Sequence, residues 1–222
     1  MVTPGLGWIP GSRLVGNEQV SDVSDNAPTV GVLALQGDVL EHLRALTRAG
    51  TRAIRVRTPK DLDEVDALVI PGGESTTIGK LVQLFGLANP LQERITSGMP
   101  VLATCAGMIL MSEEIVDYPD QFCLGAVPIR TRRNAFGRQN DSFDTKLSVT
   151  GIDGGPLDVA FIRAPAVDAL LSDDVTVLAA VDDTPVMVQY RNSILAAFHP
   201  ELTGDDRLHQ HFVTQMLNWP ST

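Results

Sequence analysis

The sequence is poor in cysteine, histidine and positive charge, and each shortage excludes a class of protein. Two cysteines in 222 residues form neither a disulfide framework nor a CxxC pair, and four histidines are too few for a zinc cluster. Lys and Arg number 17 against 27 Asp and Glu, which argues against nucleic acid or an anionic membrane as a partner. No stretch approaches the ~20 apolar residues of a membrane span. The composition favours a soluble cytoplasmic protein.

The length and composition favour a single domain preceded by an extension. Hydrophobic residues make up 44% of the chain, enough for one α/β core. Residues 1–29 are rich in Gly, Pro, Ser, Asn and Asp and lack the basic and apolar regions of a signal peptide. We interpret them as a disordered extension, with a docking arm as the alternative. Residues 30–222 are predicted to form one domain.

The first half of this domain alternates strand-like runs with helical patterns. Runs begin near Val30, Arg52, Ala67 and Val101, and this alternation predicts right-handed crossovers and a mostly parallel sheet flanked by helices. The second half has little helix, which indicates antiparallel hairpins added to one side of that sheet. Strands are predicted there at 123–129, 145–150, 159–164, 175–181, 186–190 and 193–199. A last helix is predicted with Thr203 as its N-cap.

Cys105 lies in the stretch VLATCAGMILM, where a predicted buried strand meets a predicted helix. A sharp strand-to-helix turn exposes its joint residue at the sheet edge, as in a nucleophile elbow. The small neighbours Ala103, Ala106 and Gly107 permit such a turn, and a helix N-terminus favours the reactive thiolate. The alternative is a buried, inert cysteine.

His199-Pro200-Glu201 follows the apolar run SILAAF. A thiol nucleophile needs a base, and the base needs an acceptor that orients it. In an extended chain, residues two apart project to the same side, so Glu201 is expected to reach one imidazole nitrogen while the other faces the sulfur. The alternative is a capping histidine next to a solvated glutamate.

The segment PGGESTT begins at Pro71, at the end of a predicted strand. Glycines let the backbone approach a ligand closely, and we expect the N–H groups of Gly73 and Ala106 to form an oxyanion hole. A simple turn capped by Ser75 is the alternative. The segment is not a P-loop, because no GK[ST] follows it.

Gly72-Gly73, Cys105 and His199 all fall at the ends of predicted strands, and a parallel sheet gathers its carboxyl ends at one edge. Together they predict an acyl-transfer site with a Cys-His-Glu triad. The polar segment 132–139, and Arg163 at the end of an apolar strand, could bind a carboxylate or a partner, or be solvated.

Six segments together resemble one known family. They are GVLALQGDVLEH, VIPGGESTT, TCAGMIL, RRNAFGRQNDSF, FIRAP and AFHPEL. In this order they resemble the glutaminase subunits of pyridoxal 5'-phosphate synthase, a subfamily of class I (triad) glutamine amidotransferases. The resemblance runs from about Val30 to Trp219. It implies a three-layer, flavodoxin-like α/β fold.

The resemblance also implies an activity and roles for individual residues. Cys105 would be the nucleophile that hydrolyses L-glutamine through a thioester, with His199 and Glu201 completing the triad. Contacts to glutamine are implied for Gly73, Glu74, Ser75, Arg133, Ile162 and Arg163, and a place near the partner interface and the oxyanion strand is implied for Gln36. No metal or prosthetic group is implied.

A partner protein is part of the same expectation. In the family, the ammonia passes to a separate (β/α)8 synthase subunit, and the glutaminase subunits decorate a dodecameric synthase core in a large hetero-oligomer. One departure is Ala103, where many members have Gly. Two alternative functions are a glutaminase that serves another synthase, and a non-catalytic scaffold subunit.

Overall fold

A computed structural model describes residues 27–136 and 142–218 of the chain. The predicted extension at 1–29 therefore falls outside the described residues except for its last three, and so do residues 137–139 of the polar segment. The first strand begins at Thr29, one residue ahead of the predicted start of the domain.

The described residues form twelve strands, six α-helices and a short 3₁₀ helix at Pro200–Leu202. The strands are β1 (Thr29–Leu33), β2 (Arg52–Val56), β3 (Ala67–Ile70), β4 (Val101–Thr104), β5 (Ser112–Ile115), β6 (Val127–Arg132), β7 (Ser142–Leu147), β8 (Leu157–Ile162), β9 (Ala166–Leu170), β10 (Thr176–Val181), β11 (Thr184–Tyr190) and β12 (Ser193–Ala196). The helices are α1 (Val39–Arg48), α2 (Pro59–Asp63), α3 (Ser75–Leu84), α4 (Ala88–Thr96), α5 (Ala106–Met111) and α6 (Arg207–Asn218).

A seven-stranded sheet in the order β10-β11-β12-β4-β3-β1-β2 forms the centre of a three-layer α/β fold. The strands from β12 to β2 run parallel, and β11 and β10 extend one edge antiparallel. The parallel order β2-β1-β3-β4-β12 is of the flavodoxin type, in which ligands bind beyond the carboxyl ends of the strands. The predicted fold class is confirmed.

The expectation that all later strands extend the central sheet was wrong. Only β10, β11 and β12 join it, whereas β5-β6-β9 and β7-β8 form two separate small sheets. In β6, buried positions alternate with more exposed ones, which is the pattern of a strand with one face on the core and one toward solvent. Such a strand cannot sit in the centre of a sheet that is covered on both faces.

The predicted N-cap of the last helix was also wrong. Helix α6 begins at Arg207, three residues later than an N-cap at Thr203 would require. Thr203 instead donates its hydroxyl to the Pro200 carbonyl and closes the 3₁₀ helix. Gly204 follows with φ of +76°, a left-handed conformation that no helix can continue.

Burial of the central strands fixes the edge at which the site forms. Every residue of β3, β4 and β12 is buried, as expected for parallel strands covered on both faces. Helix α1 packs its buried face, which includes Leu43 and Leu46, against β1 and β2. Burying one such leucine contributes about 1.5–3 kcal/mol.

Among the described residues, no helix is long and apolar enough to cross a membrane.

Candidate active site

Cys105 is the single residue between β4 and α5, with φ of +48° and ψ of −107°. A non-glycine residue in this region is strained, and the surrounding packing must hold it there. Gly107 contributes to that packing, because a Cβ at this position would lie 2.2 Å from the carbonyl oxygen of Ile70. Only glycine therefore lets the first turn of α5 approach β3 so closely. The predicted position of Cys105 at a strand-to-helix turn is confirmed.

Gly72 allows three segments to meet at this point. A Cβ on Gly72 would lie 2.4 Å from His199 Cε1 and 3.2 Å from Cys105 Cβ. The Gly72 carbonyl oxygen packs against Gly37, where an added Cβ would lie 1.7 Å away. The ends of β1, β3, β4 and β12 thus converge on one small volume, as the positions of these segments at strand ends predict.

His199 is held from both its backbone and its side chain. Its N–H donates to the Ala160 carbonyl at 2.8 Å, which ties the loop after β12 to β8. Its Nδ1 lies 2.8 Å from Glu201 Oε1 and 3.4 Å from Asp38 Oδ2. The contact with Glu201 was predicted from an extended chain, but Glu201 lies in the 3₁₀ helix. A tight turn after Pro200, rather than strand periodicity, brings the carboxylate back to the ring.

The protonation states of His199 and Glu201 depend on each other. Burial disfavours the charged imidazole, but contacts with Asp38, Cys105 and Glu201 outweigh it and raise the pKa of His199 to about 12. Burial raises the pKa of Glu201, and contact with His199 opposes that rise. We therefore describe His199 as an imidazolium paired with the Glu201 carboxylate. The positive charge of this imidazolium lies next to the Cys105 side chain.

A cavity of about 340 Å³ opens at this edge of the sheet. Its volume lies within the range of small-molecule sites. Ten of the residues singled out in the sequence line it: Gln36, Gly73, Glu74, Ser75, Cys105, Ala106, Arg133, Ile162, Arg163 and His199. Glu201 lies behind His199, and Asp38, Ile109, Asn134 and Leu202 complete the lining.

Hydrogen bonds and a contact with an aromatic ring hold the Arg133 side chain where it lines the cavity. It donates to Gln121 Oε1 at 2.7 Å and to Glu74 Oε1 at 3.3 Å. Its guanidinium lies 4.6 Å from the centre of the Tyr118 ring, a cation–π contact. Gln121 also donates to the Ser75 hydroxyl. The guanidinium is thus held in one orientation while its side chain is still 21% exposed.

Glu74 caps helix α3, accepting the backbone N–H groups of Thr76 and Thr77 at 3.0 and 2.7 Å. Burial opposes ionisation, but these contacts and the Thr77 hydroxyl lower the pKa of Glu74 to about 2. The backbone N–H of Glu74 donates to Gln36 Oε1 at 2.7 Å. Gln36 therefore lies next to Gly73, the predicted oxyanion donor, and its hydrogen bond stabilises the turn after β3.

Ile162 and Arg163 line the cavity at the end of β8. Phe161 anchors this strand, since its ring packs against Phe136, Phe143 and Phe198. Arg163 has φ of +44°. Together with Cys105 and Asn134, it is one of three non-glycine cavity residues with positive φ, and such strain clusters at functional sites.

In the described part of the chain, the one group of side chains with metal-type ligand spacing is Asp38, His199 and Glu201. A cation there would need the Nδ1 lone pair of His199. That nitrogen instead faces both carboxylates, which hold a proton on it. The arrangement fits a hydrogen-bonded triad better than a metal site.

Several residues that contact the site were not found from the sequence. They are Asp38 beside His199, His42 and Thr104 near Glu201, and Tyr118 and Gln121 around Arg133. Asp38 had a local signal, since it directly follows Gln36-Gly37 in the segment GVLALQGDVLEH, shortly after β1. A histidine on the apolar face of α1 was a second signal. Tyr118 and Gln121 lie in a loop whose path depends on the tertiary fold.

Comparison with known proteins identifies relatives over most of the chain. The model of the SNO glutamine amidotransferase family matches residues 32–218. A protein of Mycobacteroides abscessus named pyridoxal 5'-phosphate synthase subunit PdxT is 54% identical over 188 residues, covering 84% of this chain and 96% of that protein. A protein of the same name from Frankia alni is 51% identical, covering 85% and 94%.

Solved structures also resemble the fold. A crystal structure described as a glutamine amidotransferase superposes with a TM-score of 0.80 at 46% identity, covering 84% of this chain and 98% of that chain. The PurLQS structure from Thermotoga maritima gives a TM-score of 0.60 at 16% identity, covering 87% and 99%. The second similarity concerns the fold alone.

Proposed function

The chain belongs to the SNO glutamine amidotransferase family, and we propose that it is a glutaminase that releases ammonia from L-glutamine. The observation that carries the proposal is the position of Cys105. It lines the same cavity as His199, whose Nδ1 is hydrogen-bonded to Glu201. A nucleophile, its acid–base partner and the group that orients that partner are the minimum set for covalent acyl transfer.

In the proposed reaction, the Cys105 thiolate attacks the side-chain carboxamide carbon of glutamine. The oxygen of the tetrahedral intermediate becomes negatively charged. When the C–N bond breaks, the His199 imidazolium gives its proton to the leaving nitrogen, which departs as ammonia and leaves a thioester. The neutral imidazole then takes a proton from water, and the water oxygen attacks the thioester carbon. The C–S bond breaks, the Cys105 thiolate and the His199 imidazolium are restored, and glutamate leaves. Glu201 holds His199 in one orientation through both steps.

The backbone N–H groups of Gly73 and Ala106 are proposed to bind the oxyanion. Both residues line the cavity with Cys105. Ala106 begins helix α5, and the first N–H groups of a helix have no intrahelical partner. Gly73 has φ of +155°, within the region that favours glycine. Preorganised donors of this kind contribute most when they face the charge that develops in the transition state.

The proposed glutamine contacts follow from charge. L-Glutamine carries a carboxylate and an ammonium on its α-carbon. The oriented guanidinium of Arg133 suits the carboxylate, and Arg163 adds a second cation to the lining of the cavity. The ionised Glu74 carboxylate suits the ammonium. Ser75, at the start of α3, offers a hydroxyl, and Ile162 supplies apolar contact for the aliphatic part of the ligand.

The partner is proposed from the names of the relatives, which are subunits of pyridoxal 5'-phosphate synthase. We propose that this chain passes ammonia to a (β/α)8 synthase subunit in the cytoplasm, within a complex built on a dodecameric core. Gln36 is placed near that interface. The competing proposals are another synthase partner and a non-catalytic scaffold. All three members of the triad are present in this chain, which favours catalysis.

The test is ammonia release from L-glutamine by the chain alone and together with its synthase subunit. We expect release that the synthase stimulates, that Cys105→Ala abolishes and that Cys123→Ala preserves. Cys123 is the matched control, since it is half-buried and its thiol contacts the Glu113 carbonyl outside the cavity. Release by Cys105→Ala equal to the parent would contradict the proposed nucleophile. Release without any effect of the synthase would contradict the proposed partner.

A further inference from the structure

The triad is in contact with a series of buried polar side chains that take no part in the proposed reaction. His42, on helix α1, is fully buried. Its Nε2 lies 3.1 Å from Thr104 Oγ1 and 3.4 Å from Glu201 Oε2, and its Nδ1 lies 3.0 Å from His209 Nε2 on helix α6. Thr104 immediately precedes Cys105. One imidazole therefore contacts the strand that carries the proposed nucleophile and the carboxylate that orients the proposed acid–base group.

Glu201 needs such a contact. Its Oε1 is occupied by His199, whereas its buried Oε2 makes no hydrogen bond of good geometry to any described residue. Buried carboxylate oxygens without a donor are costly. The ring nitrogen of His42 is the nitrogen that the structure places within ion-pair distance of Oε2. The two atoms are close enough for a hydrogen bond, so a small rotation of either side chain, rather than a closer approach, would align the N–H with Oε2.

The contacts of His42 with Thr104, Glu201 and His209 determine which of its ring nitrogens carries the proton. Burial, together with the neighbouring His209 and His199, lowers the pKa of His42 well below its ordinary value. Burial likewise lowers the pKa of His209 to about 4, with Asp206 opposing and Arg48 assisting that shift. Both rings are therefore neutral near pH 7, and each has one donor and one acceptor nitrogen.

Only one arrangement of the two protons places an N–H of His42, rather than a lone pair, beside the Glu201 carboxylate. With the proton of His42 on Nε2, this N–H donates to Thr104 Oγ1 at 3.1 Å, Glu201 Oε2 lies 3.4 Å from the same nitrogen, and Nδ1 accepts the Nε2–H of His209. The remaining Nδ1 of His209 is then an acceptor without a partner among the described residues. The opposite arrangement points a lone pair at the carboxylate and leaves a buried N–H on His209 without an acceptor, which costs more.

We propose that His42 is a positioning residue for the triad, holding the outer oxygen of Glu201 through its Nε2–H, and that His209 fixes this tautomer from helix α6. The inference rests on the proposed glutaminase function. His42 does not touch the substrate. It acts on the reaction through Glu201, in the way that a partner fixing the tautomer and ring orientation of a functional histidine acts at other sites.

The test compares His42→Met, which removes the donor at similar size, with His42→Gln, whose amide N–H₂ can reach the place of Nε2. For His42→Met we expect kcat about 10- to 100-fold below the parent, by analogy with the loss of a group that orients a metal ligand, with KM unchanged. His42→Gln should recover most of that loss. Both variants are compared at equal folded fraction, measured by thermal unfolding.

A second readout needs no glutaminase activity. The rate at which iodoacetamide alkylates Cys105, followed by peptide mass spectrometry so that Cys123 is counted separately, reports the thiolate that the imidazolium stabilises. We expect slower alkylation in His42→Met and near-parental alkylation in His42→Gln. If the parent releases no ammonia with its synthase, the proposed function fails, while the alkylation rates still test the role of His42.

His209→Leu extends the test in case His42→Met does not fold. It removes the donor to His42 and leaves the contact with Glu201, so a smaller fall in kcat and in alkylation rate is expected. Parental kcat and parental alkylation in a folded His42→Met, or in His209→Leu if that is the variant that folds, would overturn the proposal. Equal losses in His42→Met and His42→Gln would also overturn it, because the donor would then have no specific role.

Discussion

The cavity has two walls that are built differently. The catalytic wall, Cys105, His199 and Glu201, is at most 7% exposed and lies at the ends of fully buried parallel strands. The recognition wall, Glu74, Arg133 and Arg163, lies on segments that directly follow β3, β6 and β8, and the side chains of Glu74 and Arg133 are 48% and 21% exposed. This difference predicts which kinetic constant a substitution in each wall should change. Charges in the buried wall interact strongly, so substitutions there should change kcat, whereas substitutions in the recognition wall should change KM.

The largest effect is expected at Glu201. Glu201→Gln keeps the shape of the side chain but removes the charge that holds a proton on His199 Nδ1. We expect kcat to fall between about 10²- and 10⁴-fold, as for lost general acid–base catalysis, with KM near the parental value. Steady-state glutaminase kinetics in the synthase complex measure both constants. A variant with raised KM and parental kcat would remove the distinction between the two walls.

The next effect is expected at Gly72, which belongs to neither wall but packs against the catalytic one. In Gly72→Ala, the new methyl group would lie 2.4 Å from His199 Cε1, so the ring must move. Displacing a catalytic group by about 1 Å can cost about 10²-fold in rate.

Gly50→Ala is the control for this variant. Gly50 has φ of +85° and open space around an added Cβ, so the variant should lose about 1–2 kcal/mol of stability to backbone strain and keep parental kcat. Equal kcat values for Gly72→Ala and Gly50→Ala would show that the contact with His199 is not limiting.

On the recognition wall, Arg133→Gln should raise KM by about 10- to 100-fold, the equivalent of losing one hydrogen bond to a charged group, with kcat changed little. Arg132→Gln is the matched control. Arg132 is the adjacent arginine, half-exposed and paired with Asp168 on β9 rather than facing the cavity. A fall in kcat without a rise in KM for Arg133→Gln would place this arginine with the catalytic wall.

The smallest effect concerns stability rather than rate. The pKa of Glu74 is about 2 in the folded chain against 4.5 ordinarily. The ionised cap therefore stabilises the fold above about pH 4.5, and this contribution is lost as the pH falls toward 2. The melting temperature of Glu74→Gln should lie below that of the parent at neutral pH, and the difference should shrink in acid.

Glu93→Gln, on an exposed position of α4, controls for the loss of one negative charge. If the difference in melting temperature between Glu74→Gln and the parent did not depend on pH, the cap would not be the source of the lowered pKa.

The two walls also differ in how much of them could be predicted from the sequence. Cys105 and His199 end apolar strands, so local pattern and the geometry of parallel sheets place them together.

The strand β5 was missed because Glu113 and Glu114 interrupt its apolar pattern. Helix α2 was missed because it is only five residues long, although Thr58 and Asp61 form a capping box there.

Contacts that depend on helix packing could not be predicted. His42 and His209 are 167 residues apart in sequence and meet only because α1 packs on α6. Gln121 reaches Arg133 from a loop that has no periodic pattern. The residue types at these positions carry no local signal of their partners, since the partners are chosen by the tertiary fold.

The most direct test of the account is covalent capture of the nucleophile by a glutamine analogue that carries a diazoketone in place of the carboxamide. The protein in complex with its synthase subunit is incubated with the analogue, digested and examined by mass spectrometry. We predict one adduct, on Cys105, whose formation excess L-glutamine slows and Glu201→Gln impairs. Labelling of Cys123 at a similar rate, or labelling of Cys105 that L-glutamine does not slow, would contradict the account.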